Sequence, residues 1–164
     1  MEAILSEIEA ALNAGFYYLA ITIALSLPDV CSALESPDGT TSGQRYKAWY
    51  DAWMARQYPR VTAEDMYSLR CGVIHQGRFG HDRMQYSRIL FTVPNPQQNV
   101  FHNNILNDAL NLDACIFCRD IMDSVSRWYA AKQGDPVVQA NLPRLLRLYP
   151  NGLPPYMVGI PLIS

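Results

Sequence analysis

TAEDMYSLRCGVIHQG, residues Thr62 to Gly77, reads as a helix with both ends specified. Thr62 stands at the N-cap, and an acid three residues on approximates a capping box. Gly77 can take the left-handed position that closes a helix, so the helix is expected to run to about Gln76. It carries Arg70, Cys71 and His75. Tyr58-Pro59 separates it from the preceding segment, and the polar loop Gly77–Gln85, with Arg78, His81 and Arg83, follows it.

The flanking segments are also mostly helical. Residues 2–35 show Leu5, Ile8, Leu12, Phe16 and Leu19 at helical spacing, with a joint near Asn13-Ala14-Gly15. Pro28 is expected to open a new turn, so that Pro28–Glu35 continues at a new angle. Ser36–Gly43 is a loop. In Gln44–Gln57, Tyr46, Trp49, Tyr50 and Trp53 recur along one helix face, which fits a core or dimer seam better than a stacking platform for bases. Ser87–Val93 is rich in β-branched and aromatic residues, Pro94-Asn95-Pro96 is a turn, and Asn99–Leu106 is the expected returning strand. Leu112–Lys132 is a long helix capped by Asp113, and Pro136–Tyr149 a shorter one. Five prolines fall between Pro143 and Pro161. The tail they interrupt is apolar enough that it should pack back on the body. The expectation is a mainly α fold in a single domain over residues 1–164. It is a helical bundle with one inserted β-hairpin at about 86–106 and a packed, Pro-rich C-terminal extension at about 136–164.

Composition narrows the function. The 164 residues are 49% hydrophobic and 17% charged, which excludes a disordered chain. A net charge of −2 argues against a generic polyanion binder. The charge is nevertheless uneven. Residues 1–44 hold six acids and no Lys or Arg, whereas 13 bases, 11 of them Arg, face nine acids from residue 45 on. Met1–Ala14 has no basic n-region, and the dense apolar run Phe16–Leu27 is shorter than a bilayer crossing of about 20 residues. A cytoplasmic protein that does not enter the membrane is expected. Its cysteines, Cys31, Cys71, Cys115 and Cys118, should then be reduced and mostly buried.

The chemistry-bearing spacing is Arg70-x4-His75. An Arg beside a His can carry phosphoryl transfer without metal or cofactor. The imidazole moves protons near neutral pH, and the guanidinium stabilises the charge of the transition state. RNA brings its own nucleophile, the 2′-OH. On a straight helix the two residues are about 140° and about 7.5 Å apart, so Arg70 must curl back, Gly72 must loosen the helix, or two copies must meet. The alternative is an Arg paired with an acid such as Glu64 and a His satisfied within the bundle. A second constellation, Cys115-x2-Cys118, reads mainly as core. It has the spacing of a zinc pair that Cys71 and His75 would complete, and Cys115 near a helix N-terminus would have a lowered pKa.

Arg-x4-His in the context SLRCGVIHQG resembles the motif of the HEPN superfamily, small helical bundles whose Arg-x4–6-His lies near a two-fold interface. The resemblance extends by layout over residues 2–132, and Cys71 stands where that family often has Asn. It implies a homodimer with a composite site, His75 as general base or acid and Arg70 as phosphate clamp. Ser68 and Cys71 share the His75 face, and Arg78, His81 and Arg83 would contact RNA. The activity implied is a metal-independent endoribonuclease of toxin, defence or RNA-processing type, with an antitoxin as a possible partner. Family members that have lost activity resemble instead a dimeric nucleotide- or protein-binding module.

Overall fold

In the computed structural model, which describes residues 1–79 and 84–164, the architecture is mainly α. Helices α1 (Glu2–Asn13) and α2 (Tyr17–Leu34) meet at Gly15, whose φ of +77° suits a residue without Cβ. α2 is the central helix. It packs against α1, α3 (Gly43–Trp53), α4 (Ala63–Gln76) and α5 (Ala114–Lys132). The helix continues through Pro28, and α2 is one element from Tyr17 to Leu34. Neighbours on several sides hold the segment, with Leu27, Pro28 and Cys31 all buried, so packing outweighs the lost backbone bond. At 18 residues and a mean hydropathy of 1.5, α2 is long and apolar enough to cross a membrane, yet half of it is buried inside this fold.

The aromatic stripe of α3 faces the core, as one of its two readings required. Tyr46, Trp49 and Tyr50 are buried, with Tyr46 Oη donating to the Leu25 carbonyl at 3.2 Å and Tyr50 Oη to that of Val61 at 2.8 Å. α4 begins with the expected capping box. Thr62 Oγ1 accepts from the Asp65 N–H, and Asp65 Oδ2 accepts from the Thr62 N–H. Gly77 closes it at φ +63°.

The expected hairpin is corrected. β1 (Arg88–Thr92) and β2 (Asn104–Leu106) do not pair with each other; both flank β3 (Ala109–Asp113) in the order β1-β3-β2. β1 lies parallel to β3, and β2 antiparallel. The hairpin turn is Asn107-Asp108, with φ of 49° and 61°, the double left-handed turn that Asn and Asp tolerate best after Gly. β3 takes the centre because all five of its residues are buried. It then runs directly into α5, where Asp113 Oδ1 accepts from the Ile116 N–H at 2.9 Å.

The C-terminal extension also departs from expectation. α6 (Pro136–Asn141) ends far short of Tyr149 and passes through a 3-10 turn at Leu142–Arg144. Asn141 anchors it, donating through Nδ2 to the carbonyls of Leu34 and Ser36. Beyond Leu145 the chain pairs with itself. β4 (Leu148–Tyr149) joins β7 (Leu162–Ile163), and β5 (Gly152–Leu153) joins β6 (Met157–Val158). Leu146, Tyr156, Val158 and Ile163 are exposed rather than packed on the body. Prolines spaced through the segment remove the donors a longer helix would need.

Two polar hubs tie the sheet to the bundle. Asp65, 2% exposed, accepts not only from Thr62 but also from the N–H and Nε2 of Gln85, ahead of β1. His102 Nδ1 accepts from the Asp113 N–H at 3.2 Å, which places the ring proton on Nε2. That nitrogen lies 3.2 Å from Tyr58 Oη, which donates to Asp120 Oδ2 at 2.7 Å.

Asp65→Ala strands four donors at once and should cost about 2–4 kcal/mol in urea unfolding, against about 1 kcal/mol for Thr62→Ala. Equal costs would show that Asp65 is only a cap. Burial pushes His102 below the ordinary histidine value of 6.5, outweighing Asp120 and Asp113. The fold therefore favours the neutral ring. Its contribution is complete above pH 6.5 and falls away as the pH drops below that value. His102→Gln should flatten the pH dependence of stability between neutral and mildly acidic pH, read from unfolding midpoints.

Candidate functional site

α2 and α4 build the site. α4 begins in a capping box and ends at Gly77, so Arg70 falls in its buried middle and His75 at its exposed last turn. Arg70 lies against Asp29 of α2, and a Cβ on Gly77 would lie 4.0 Å from Tyr18 Oη near the start of α2. The two helices therefore run antiparallel.

Asp29 was not among the residues the sequence singled out. It is 9% exposed, and it is the one charge between Glu9 and Glu35. A lone acid in so apolar a helix requires a buried cation, and that signal was legible. Arg70 Nε donates to Asp29 Oδ2 at 2.6 Å. Glu64, the acid the sequence reading offered for Arg70, is instead bound to Lys47 Nζ at 2.8 Å. Thr41 Oγ1 contacts Asp29 Oδ1 at 3.5 Å and Ser32 Oγ at 2.6 Å. Burial pushes the Asp29 carboxyl above its usual range, with Arg70, Thr41 and His75 pulling it back down.

The same guanidinium reaches His75. Arg70 Nη1 lies 2.9 Å from His75 Nε2 within one chain. The five-residue offset is bridged by the length of the Arg side chain, so a second copy is not needed for this pair to meet. Arg can only donate, so Nε2 accepts here. Cys71 Sγ is 4.0 Å from Arg70 Nη1. A turn earlier, the neighbouring Cys71 thiol, together with burial, pushes the Tyr67 phenol up.

The other expected site residues divide. Arg78 is exposed, with Nε donating to Gln76 Oε1 at 2.7 Å. Ser68, placed by sequence on the His75 face, is 5% exposed and faces the interior, so it does not line an open site. His81 and Arg83 lie outside the described residues. Cys115 and Cys118 do not join Cys71 and His75 in a ligand set. Among the described residues no three His, Cys, Asp or Glu side chains converge as a metal site would require. The lowered pKa expected of Cys115 is reversed, because burial and Asp113 push the thiol up; Cys118 rises to about 12 for the same first reason.

Chemically, the arrangement is a charged clamp pinned on one edge by a carboxylate, with an accessible imidazole one hydrogen bond from its other edge. An oxyanion held by Arg70 would lie within reach of His75. No protein-family model, curated protein or solved structure matches the chain.

The Asp29 and Arg70 side chains are only 11% and 17% exposed. Removing either alone leaves the other charge buried and should cost about 2–4 kcal/mol. In a double-mutant cycle, Asp29→Ala with Arg70→Ala should cost less than the sum by more than about 1 kcal/mol. Additive losses would show that the pair is not energetically coupled.

Proposed function

We propose that this protein is a HEPN-like helical-bundle endoribonuclease, cytoplasmic and homodimeric, that cleaves RNA without a metal ion through Arg70 and His75. The observation that carries this reading is the 2.9 Å approach of Arg70 Nη1 to exposed His75 Nε2. In the reaction, Arg70 Nη1 turns from His75 Nε2 to the phosphate, and the freed Nε2 takes the proton of the 2′-OH as the O2′–P bond forms. The P–O5′ bond breaks, leaving a 2′,3′-cyclic phosphate and a 5′-hydroxyl. Arg70 holds the non-bridging oxygens as charge builds on them. The leaving oxygen needs a proton too, and one imidazole cannot be base and acid at once. A second copy of His75 would supply it, which is the chemical reason for a dimer. Arg78, with His81 and Arg83 further along the sequence, would hold flanking phosphates.

A second reading is favoured by the ion pair itself. Asp29 occupies Arg70 Nε and offsets its charge, as a purely structural Arg would require. In that reading the protein is a non-catalytic dimeric module that binds a nucleotide or a protein.

Cleavage of RNA by wild type and His75→Ala, in excess EDTA with product ends identified, separates the two. The nuclease reading expects cyclic-phosphate ends from wild type, at least a hundredfold less from His75→Ala, about the scale of proton-transfer catalysis, and no attack on DNA. Inactivity of both, with both folded, would favour the module.

A further inference from the structure

Trp53 is the member of the α3 aromatic stripe that packs at the edge of the core and stays half-buried. It lines a cleft of about 390 Å³ between the end of α2, the outer side of α3 and Lys132 at the end of α5. The volume lies in the lower part of the range for small-molecule sites. Trp49 forms another part of the wall, and exposed Ala52 leaves it open. Trp49 is 3% exposed, and its indole N–H is buried without an acceptor among the described residues.

The rim carries charge of both signs. Lys132 Nζ meets Glu35 Oε1 at 2.9 Å, and Arg45 Nη1 meets Asp38 Oδ1 at 3.1 Å. All four of these side chains remain 30–60% exposed, so their heads can re-pair without leaving a buried charge behind. The cleft therefore combines an aromatic wall, two carboxylates, Glu35 and Asp38, that can accept from hydroxyls, and two cations, Arg45 and Lys132, now paired with them. Those three groups match the three parts of a nucleotide: a planar base, a ribose diol and a phosphate.

We propose that this cleft is a nucleoside-monophosphate site, separate from Arg70 and His75 and independent of the cleavage reading. The base stacks on Trp53, Glu35 accepts from ribose hydroxyls, and the phosphate lies between Arg45 and Lys132.

The test titrates AMP and UMP into the full chain, by calorimetry and by quenching of tryptophan fluorescence. One saturable site per chain is expected, tighter for AMP than for adenosine or inorganic phosphate. Trp53→Leu should weaken it about tenfold or more, on the scale of lost base stacking. Ala52→Leu, a helix-compatible change that fills the open side, should also abolish binding while the fold is kept. His75→Ala should bind like wild type. The proposal is overturned if neither nucleotide saturates wild type, if inorganic phosphate binds as tightly as AMP, or if folded Ala52→Leu still binds. Binding lost in His75→Ala but kept in Trp53→Leu would also overturn it, by moving the nucleotide to the other site.

Discussion

A carboxylate in the middle of the most apolar helix has to be answered at its own depth. Asp29 sits where α2 is packed by other helices, and Arg70 of α4 provides the answer through a 2.6 Å contact. Leaving either charge alone at that depth would be costly, so the pair restricts how α4 can lie on α2. A slide by one turn would bury an unpaired charge. Fixing Arg70 in turn fixes where the rest of α4 falls. His75 lies five residues on, at the solvent end of the helix, and Gly77 then ends it beside Tyr18. The candidate site is thus an outcome of how the bundle satisfies one buried acid.

The sheet depends on a comparable device. Its strands are short, and three short strands have little stability apart from what they rest on. Asp65 belongs at once to the α4 cap and to the segment leading into β1. Asp113 ends β3 and caps α5, and its N–H holds His102 in the tautomer that faces Tyr58 and Asp120. Each of these groups serves a helix end and the insertion together, beside the apolar face that Ile89, Leu110 and Leu112 bury in the shared core.

The helical part of this plan was legible because its signals are local. Thr62 with an acid three residues on, Gly77, Asp113 and the spacing of Tyr46, Trp49 and Tyr50 each announce themselves within a few residues. What was misread depends on partners far along the chain. β1 and Asn99–Leu106 look like a hairpin until β3 is recognised between them, and ALNLD is too short to signal a buried central strand by itself. The site was half legible. Arg70 and His75 could be paired by motif, whereas Asp29 sits 41 residues before Arg70 and shows itself only as a charge with no local reason to be there. Ser68 shares the helical phase of His75, yet it falls on the side of α4 that the core covers.

The Asp29–Arg70 pair also sets what kind of clamp Arg70 can be. A guanidinium held by a carboxylate is positioned before any ligand arrives, so little side-chain entropy remains to be lost on binding. The same carboxylate cancels much of its long-range attraction. Drawing a polyanion to the site would then fall to other bases, and the chain places all of its Lys and Arg from residue 45 on, with Arg78 three residues past His75. Attraction and positioning would be divided between different arginines. The division suits a phosphate that must be oriented against an imidazole rather than merely held. On the proposed nuclease reading, it would let a protein of net charge −2 engage RNA locally without behaving as a general polyanion binder.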